Sequence, residues 1–283
     1  MIKKPVVSGI FYPNNESKLK SMLNSYFENC QHDRTIEKKL VAIISPHAGY
    51  LYSGQTAAHS FHLAKKHDFK TAIIIAPAHS NVSGDFFIGD YEEYETPLGN
   101  LKTDRFSIEK LLDIHGFSYD TKTDLKEHSL ETQLPFLYHI NPNVKIIPII
   151  IKKQSFENAR KLAIILNDLY TEDSLIVISN DLSHFHNAQE AEKMDKLFIE
   201  YIINKDINCI ERDLISRKIE ACGYGGILTL LHFIKNIDNV SVTNDSYTHS
   251  GYVSKDFNSV VGYFGCGVYR NTIQNCKVSN ITD

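Results

Sequence analysis

Val177-Ile178-Ser179-Asn180-Asp181-Leu182-Ser183-His184 opens on apolar β-branched residues and passes at once into polar ones that end on a histidine. Two earlier stretches, Ile43-Ile44-Ser45-Pro46-His47 and Ile74-Ile75-Ala76-Pro77-Ala78-His79, do the same. Pro46 and Pro77 have no N–H to give a ladder, so each is expected to close a strand and stiffen the exit of the chain. Around these stretches, five runs read as buried strands: Leu40 to Ser45, Thr71 to Ala76, Val144 to Ile151, Leu175 to Ser179 and Val260 to Val268. All are apolar on both alternating sets of positions, as in strands covered on both faces, and this predicts a mostly parallel sheet.

Helical segments alternate with the strands. Ser53 precedes Gln55 to Lys66, Asp104 precedes Phe106 to His115, and Ser155 precedes Phe156 to Leu169. Asn187, with Glu190 three residues on, precedes Ala188 to Ile203, whose Met194, Leu197, Phe198, Tyr201 and Ile202 form an apolar stripe. Small polar residues at these positions satisfy the free N–H groups of a helix start. The alternation, without a Pro/Gly/Ser-rich linker or internal repeat, predicts one α/β domain over 1–270. Its central sheet is expected to be mostly parallel or mixed, with helices on both faces. Residues 271–283 are polar and read as a tail.

Composition narrows the function. The 283 residues are 42% apolar and 23% charged, an ordinary globular balance. Thirty Lys+Arg against 34 Asp+Glu give a formal charge of -4, the wrong sign for a protein that draws affinity from phosphate backbones, so no nucleic acid is expected as a partner. Cys30, Cys209, Cys222, Cys266 and Cys276 are scattered without a C-x-x-C pair, which suggests neither a disulfide framework nor a zinc ribbon and fits a cytoplasmic location. Lys3 and Lys4 are followed by Pro5, Ser8 and Gly9 instead of a continuous apolar segment, so no export signal is expected. The longest apolar runs fall well short of the roughly 20 residues of a membrane span, and no membrane is expected. The chain lacks G-x-x-x-x-G-K-[ST], G-x-G-x-x-G and G-x-S-x-G, which argues against nucleotide binding and α/β-hydrolase chemistry.

Ligands of open α/β sheets bind beyond the carboxyl ends of the strands, where His47, His79 and His184 can converge despite their distance in sequence. The alternative for each is a loop histidine satisfied by a hydrogen bond. His47 and His79 lie closest to their strand ends and are the better ligand candidates, whereas His184, behind Asp181, suits an acid/base role or a place beside a ligand. Cys222, in Ala221-Cys222-Gly223-Tyr224-Gly225-Gly226, is expected at the N-terminus of the helix over Ile227 to Ile234. Backbone N–H groups there lower a thiol's pKa, making Cys222 a ligand or a nucleophile, unless it is a buried small hydrophobe. Glu127-His128-Ser129-Leu130-Glu131 is expected on the first turns of a helix, where capping explains Glu127 and Glu131; Glu127 and His128 are also pocket candidates.

These residues together resemble a known family. Pro46-His47-Ala48-Gly49-Tyr50 with Tyr52-Ser53-Gly54, Pro77-Ala78-His79, Glu95-Thr96-Pro97-Leu98-Gly99, Glu127-His128-Ser129-Leu130-Glu131 and Asp181-Leu182-Ser183-His184 are similar to the motifs of the Memo family, also called AmmeMemoRadiSam system protein B. Lys4 to Pro13 and Val260 to Tyr263 match as well, so the resemblance spans about residues 1–270. It implies a fold like that of class III extradiol (LigB-like) dioxygenases. It also implies metal ligands at His47, His79 and Cys222, with Asp181 and His184 at further pocket positions. Iron- or copper-dependent redox chemistry is the implied activity, and the cysteine in place of the usual glutamate argues against extradiol ring cleavage. AMMECR1-like and radical-SAM proteins are the implied partners. Tyr247 to Asp256 departs from the family's pattern, with Tyr252 and Lys255 where an acid and a glycine are expected, and His249 becomes a pocket candidate.

The leading expectation is therefore one transition-metal ion, iron or copper with zinc as the alternative, held by His47, His79 and Cys222, with Asp181 and His184 assisting oxidoreductase chemistry on a small molecule. A second reading makes Cys222 the nucleophile of a hydrolase or transferase, activated by His47 or His184. A third has the crevice bind a peptide or partner protein without catalysis.

Overall fold

The computed structural model describes residues 1–30, 38–80 and 83–271, backbone only at 121 and 122. His32, Cys276 and the polar tail from 272 onward lie outside the described residues; Asn271, placed in that tail by composition, closes the last strand. Along the chain run β1 (Ile2–Lys3), α1 (Glu16–Glu28), β2 (Lys38–Ser45), α2 (Tyr50–Lys65), β3 (Thr71–Pro77), β4 (Phe86–Ile88), β5 (Glu93–Thr96), β6 (Gly99–Lys102), α3 (Arg105–Leu112), β7 (Phe117–Tyr119) and α4 (Thr121–Asp124). After a 3-10 turn at Glu131–Gln133 follow α5 (Leu134–Ile140), β8 (Lys145–Ile151), α6 (Phe156–Leu169), β9 (Ser174–Ser179), β10 (His184–His186), α7 (Ala188–Asn204), α8 (Ile207–Ile215) and α9 (Tyr224–Ile234). The chain then continues through β11 (Val240–Val242), β12 (Ser246–His249), α10 (Gly251–Ser254) and β13 (Val260–Asn271).

The main sheet runs β10-β13-β2-β9-β3-β8-β4-β7, with β11 and β12 also paired to β13. Its centre is parallel: β2 with β9, β9 with β3, β3 with β8. Both flanks turn antiparallel, β13 against β2 and β4 against β8, so the sheet is mixed. Val260 to Val268 reads like its parallel neighbours because double-sided burial dictates apolar residues whatever the direction of the strand. Alternation sends Ile73, Ile75, Ile176 and Ile178 to one face, against Leu162 and Leu166 of α6, Phe198 of α7 and Leu228 and Leu231 of α9. Ala72, Ile74, Leu175 and Val177 face the other way, against Leu19 and Leu23 of α1, Phe61 of α2 and Phe136 of α5. No helix among the described residues is long and apolar enough to cross a membrane.

Three of the four expected helix starts stand. Asp104, Ser155 and Asn187 each accept the N–H three residues on, from Ser107, Asn158 and Glu190. The fourth is earlier than Ser53: α2 begins at Tyr50 after Gly49, and the Ser53 hydroxyl donates to the Ala48 carbonyl (3.0 Å) inside the first turn.

Glu131 is no helix cap. Its buried carboxylate accepts N–H groups from Val6 (2.7 Å) and Val7 (3.0 Å) and the Tyr12 hydroxyl (2.7 Å), tying the N-terminal arm to the domain. The adjacent buried pair Lys3–Asp124 (3.0 Å) anchors β1 of the small β1-β5-β6 sheet. Glu131→Ala orphans three donors at once, and urea unfolding is expected to show a loss of about 3 kcal/mol. Glu131→Gln, which keeps one acceptor oxygen, is expected to lose clearly less.

Candidate metal centre

The parallel strands β2, β3 and β9 all end on one edge, and that edge delivers the histidines. His47 follows β2 by two residues and His79 follows β3 by two. Cys222 comes from across the crevice, two residues before α9, where the Cys222 N–H donates to the Asp181 carbonyl (3.1 Å) and the Asp181 N–H points at Sγ (3.3 Å). Gly223 makes this approach possible: a Cβ there would lie 2.6 Å from the Ser179 carbonyl oxygen. The outcome is one cluster in which a ring nitrogen of His47, a ring nitrogen of His79 and Sγ of Cys222 all lie within 4.8 Å of one another. Sγ is 3.2 Å from His47 Nε2.

Hydrogen-bond counting fixes which ring nitrogens face the cluster. Ser179 Oγ has one proton, and the Ser129 carbonyl at 2.6 Å takes it. Ser179 Oγ must then accept from His47 Nδ1 (2.8 Å) and from Gln133 Nε2 (3.1 Å), so His47 carries its proton on Nδ1 and offers a bare Nε2. Burial, followed by the like charge of His79, His128 and His184, holds the His47 imidazole pKa well below its ordinary value, so it is neutral. His79 follows the same plan with a stronger partner: its Nδ1 donates to Glu127 Oε1 (2.9 Å) and its backbone N–H to Glu127 Oε2 (2.6 Å). Burial opposes charge on Glu127, but the His79 ring and the N–H groups of His79 and Ser129 outweigh it and bring the carboxyl down to about 2. In return, and against its own burial, Glu127 raises the His79 pKa. Rings pinned at Nδ1 with Nε2 turned to a common point are what a bound metal requires of its histidines.

Asp181 takes the backbone N–H of His47 as Glu127 takes that of His79. Oδ1 accepts the His47 N–H (2.8 Å), while Oδ2 lies 4.0 Å from His47 Nε2. Burial pushes its carboxyl up to about 7, partly countered by N–H groups of His47 and Ala48. His184 sits at the start of β10, half-buried; burial lowers its pKa, the like charge of His79 adds to this, and His184 in turn adds to the lowering at His47. His128 stacks on His79 at 4.4 Å and stands edge-on to His47 at 5.6 Å.

Several expectations need correction. Glu127 and His128 lie in the loop before the 3-10 turn, not on a helix, because the Glu127 carboxylate is turned back to take N–H groups from its own loop, His128 and Ser129 (2.9 Å each). The Cys222 thiol pKa is not lowered: burial, with Asp181 next, pushes it well up and outweighs the backbone N–H groups. His249 is buried with partners of its own. Its Nδ1 accepts the Gly251 N–H (3.2 Å), Nε2 faces Glu192 (3.6 Å), and the ring stacks on Tyr252 (4.4 Å). Nearby, Lys255 adopts a left-handed φ of 62°, which accounts for the glycine expected at that position. The supporting residues Ser129, Gln133 and Ser179 carry little local signal beyond the hydroxyl that follows the apolar run Leu175 to Ile178 of β9.

A mixed α/β sheet with a His-His-Cys cluster beyond its parallel strand ends is the class of protein that fold and site define. The family model described as Memo-like protein matches residues 3–267. A MEMO1 family protein of Nitrosopumilus maritimus is 34% identical over 274 residues, covering 93% of this chain and 98% of the relative. MEMO1 family proteins of Methanococcus vannielii and Thermotoga neapolitana are each 35% identical, at the same coverage of both chains. The chain belongs to the Memo family. Among solved structures, an uncharacterized protein of Escherichia coli K12 aligns with a TM-score of 0.42 and 15% identity over 79% of this chain and 98% of its own.

The raised pKa of Asp181 sets a pH dependence. Between about 4 and 7 the folded protein holds a proton that the unfolded chain releases, so this residue's contribution falls as pH rises through that window and the penalty is full above it. Asp181→Asn, which keeps the oxygen that accepts from His47, is expected to stabilise the metal-free protein by about 2–4 kcal/mol at pH 8 and to be near neutral at pH 4. Urea titrations at the two pH values check it.

Proposed function

We propose that His47, His79 and Cys222 hold one transition-metal ion and that the site carries out iron- or copper-dependent redox chemistry on a small molecule. The observation that carries this is the meeting of two imidazoles and a thiol within 4.8 Å, the His47 ring turned by Ser179 and the His79 ring by Glu127 so that Nε2 is offered. Nitrogen and sulfur donors suit iron, copper and zinc, of which the first two exchange electrons. Three protein ligands leave room for an exogenous one, and a bound ion supplies Lewis acidity or an electron to whatever occupies it.

The chain's own groups supply positioning and protons. Ser179 and Glu127 keep the Nδ1 protons in place and the rings in register. Asp181, with a pKa brought to about 7, gives or takes a proton at Oδ2 near neutral pH, beside the Nε2 of His47. His184 and His128 add two more imidazoles around the same point, both kept neutral by burial.

The 3.2 Å contact between Cys222 and His47 also has the shape of a nucleophile and its base. Burial favours the neutral form of both partners, however, so the resting pair is thiol and imidazole instead of the thiolate and imidazolium of an activated cysteine.

Cobalt(II) is a suitable probe, because thiolate ligation gives it a near-ultraviolet charge-transfer band. Wild type is expected to bind one equivalent with that band, Cys222→Ser to lose the band, and His47→Ala to lose stoichiometric binding. Ser179→Ala and Glu127→Gln, which loosen the rings without removing a ligand, are expected to weaken affinity about 10–100-fold. Full stoichiometry and an unchanged band in Cys222→Ser and His47→Ala would overturn the assignment.

A further inference from the structure

The helix that follows Cys222 begins without a cap of its own. Asp104, Ser155 and Asn187 each give an oxygen to the first turn of their own helix, but the residue at the head of α9 is Gly223, which has no side chain to give. The N–H groups of a buried helix start must then find acceptors elsewhere. Two side chains from beyond other strand ends supply them. Asn180, one residue past β9, accepts the Gly223 N–H at Oδ1 (2.8 Å), and Gln154, three residues past β8, accepts the Gly225 N–H at Oε1 (2.7 Å).

The place of Asn180 in the chain gives its bond a second consequence. The residue is fully buried, and its backbone N–H donates to the Ser45 carbonyl (3.0 Å), two residues before His47. Its neighbour Asp181 takes the Cys222 N–H on its carbonyl (3.1 Å) and points its own N–H at Sγ (3.3 Å). Asn180-Asp181 thus holds the end of β2 on one side and Cys222-Gly223 on the other, and the 3.2 Å contact between His47 Nε2 and Sγ is set across it. The Asn180 amide cannot be turned round, because Nδ2 would then face the Gly223 N–H donor to donor. Nδ2 itself meets no partner among the described residues, so the polar role of the side chain rests on that one acceptor. Gly223 has no room to shift toward a side-chain cap of its own: a Cβ there would lie 2.6 Å from the Ser179 carbonyl oxygen and 2.9 Å from Asn180 Oδ1.

We infer that Asn180 is a positioning residue of the metal centre: by holding the Gly223 N–H, its Oδ1 sets where Cys222 Sγ stands relative to the His47 and His79 rings. This rests on the metal reading above and adds a residue that lies outside the ligand set. Gln154 supplies the control, because it makes the same kind of bond to the same helix but to a residue three positions beyond the sulfur.

The test uses the full chain loaded with cobalt(II), read by the thiolate charge-transfer band and by affinity against a competing chelator. Asn180→Ala is expected to bind cobalt(II) about 10–100-fold more weakly than wild type, with a weaker and shifted band at saturation. Asn180→Ser, whose hydroxyl is too short to reach Gly223, is expected to do the same and carries the test should Asn180→Ala fold poorly. Asn180→Asp, which keeps an oxygen in the place of Oδ1, is expected to keep the wild-type band. Gln154→Ala is expected to lower the thermal midpoint, as Asn180→Ala does, yet to keep the band and an affinity within about twofold of wild type. An unchanged band and affinity in Asn180→Ala or Asn180→Ser overturns the inference, as does a band altered in Asn180→Asp as much as in Asn180→Ala. A change of the same size in Gln154→Ala also overturns it, since the effect is then a general loosening of α9. All three leave the metal reading standing; wild type that binds cobalt(II) without a thiolate band, or binds none, removes both.

Discussion

The hydrogen bonds that Asp181 and Glu127 accept from the backbone N–H groups of His47 and His79 hold the site together. Asp181 fixes the end of β9 to that of β2, and Glu127 fixes the end of β3 to the loop before the 3-10 turn, which Ser129 in turn ties to β9 through Ser179 and to β3 through the Pro77 carbonyl. A parallel sheet only brings strand ends to the same edge; it does not set the orientation of a ring to within a few tenths of an ångström. The carboxylates do that for the backbone, and Ser179 and Glu127 then do it for the rings. The electrostatic consequence differs between the two acids. Glu127 has a protonatable ring and several N–H donors and stays ionised, whereas Asp181 has two N–H donors to set against its burial and is drawn toward the neutral form.

Packing explains why the crevice lies where it does. Alternating Ile, Val and Ala residues cover both faces of the central strands with helices, and the ends of the strands are left as the place where polar groups can gather. The N-terminal arm, held by Glu131, closes one side, with the Phe11 ring 4.9 Å from that of His128. The Gly223 turn closes another, and the missing Cβ permits it.

Much of this was legible in the chain. Buried strands announce themselves by β-branched residues on both sides of the alternation, and Asp104, Ser155 and Asn187 marked helix starts that the structure keeps. The repeated step from apolar run to histidine located two members of the cluster, and a cysteine next to glycines located the third. What sequence does not carry is direction and desolvation. Nothing in Val260 to Val268 records that β13 runs antiparallel, because burial on both faces selects the same residues in either sense. Backbone N–H groups at a helix start would by themselves lower the Cys222 pKa, and the burial that reverses the sign is set by distant segments. Local sequence offers Glu131 a capping role and leaves Glu127 between capping and the pocket, because the partners that claim them, the N-terminal arm for one and His79 for the other, lie roughly 125 and 50 residues away in sequence.

The most direct measurement of the central claim is X-ray absorption at the zinc edge of the zinc-loaded protein. The account predicts one sulfur at about 2.3 Å and at least two nitrogen scatterers at about 2.0 Å with the outer-ring signature of imidazole. A first coordination sphere without sulfur, or one without imidazole, would contradict it.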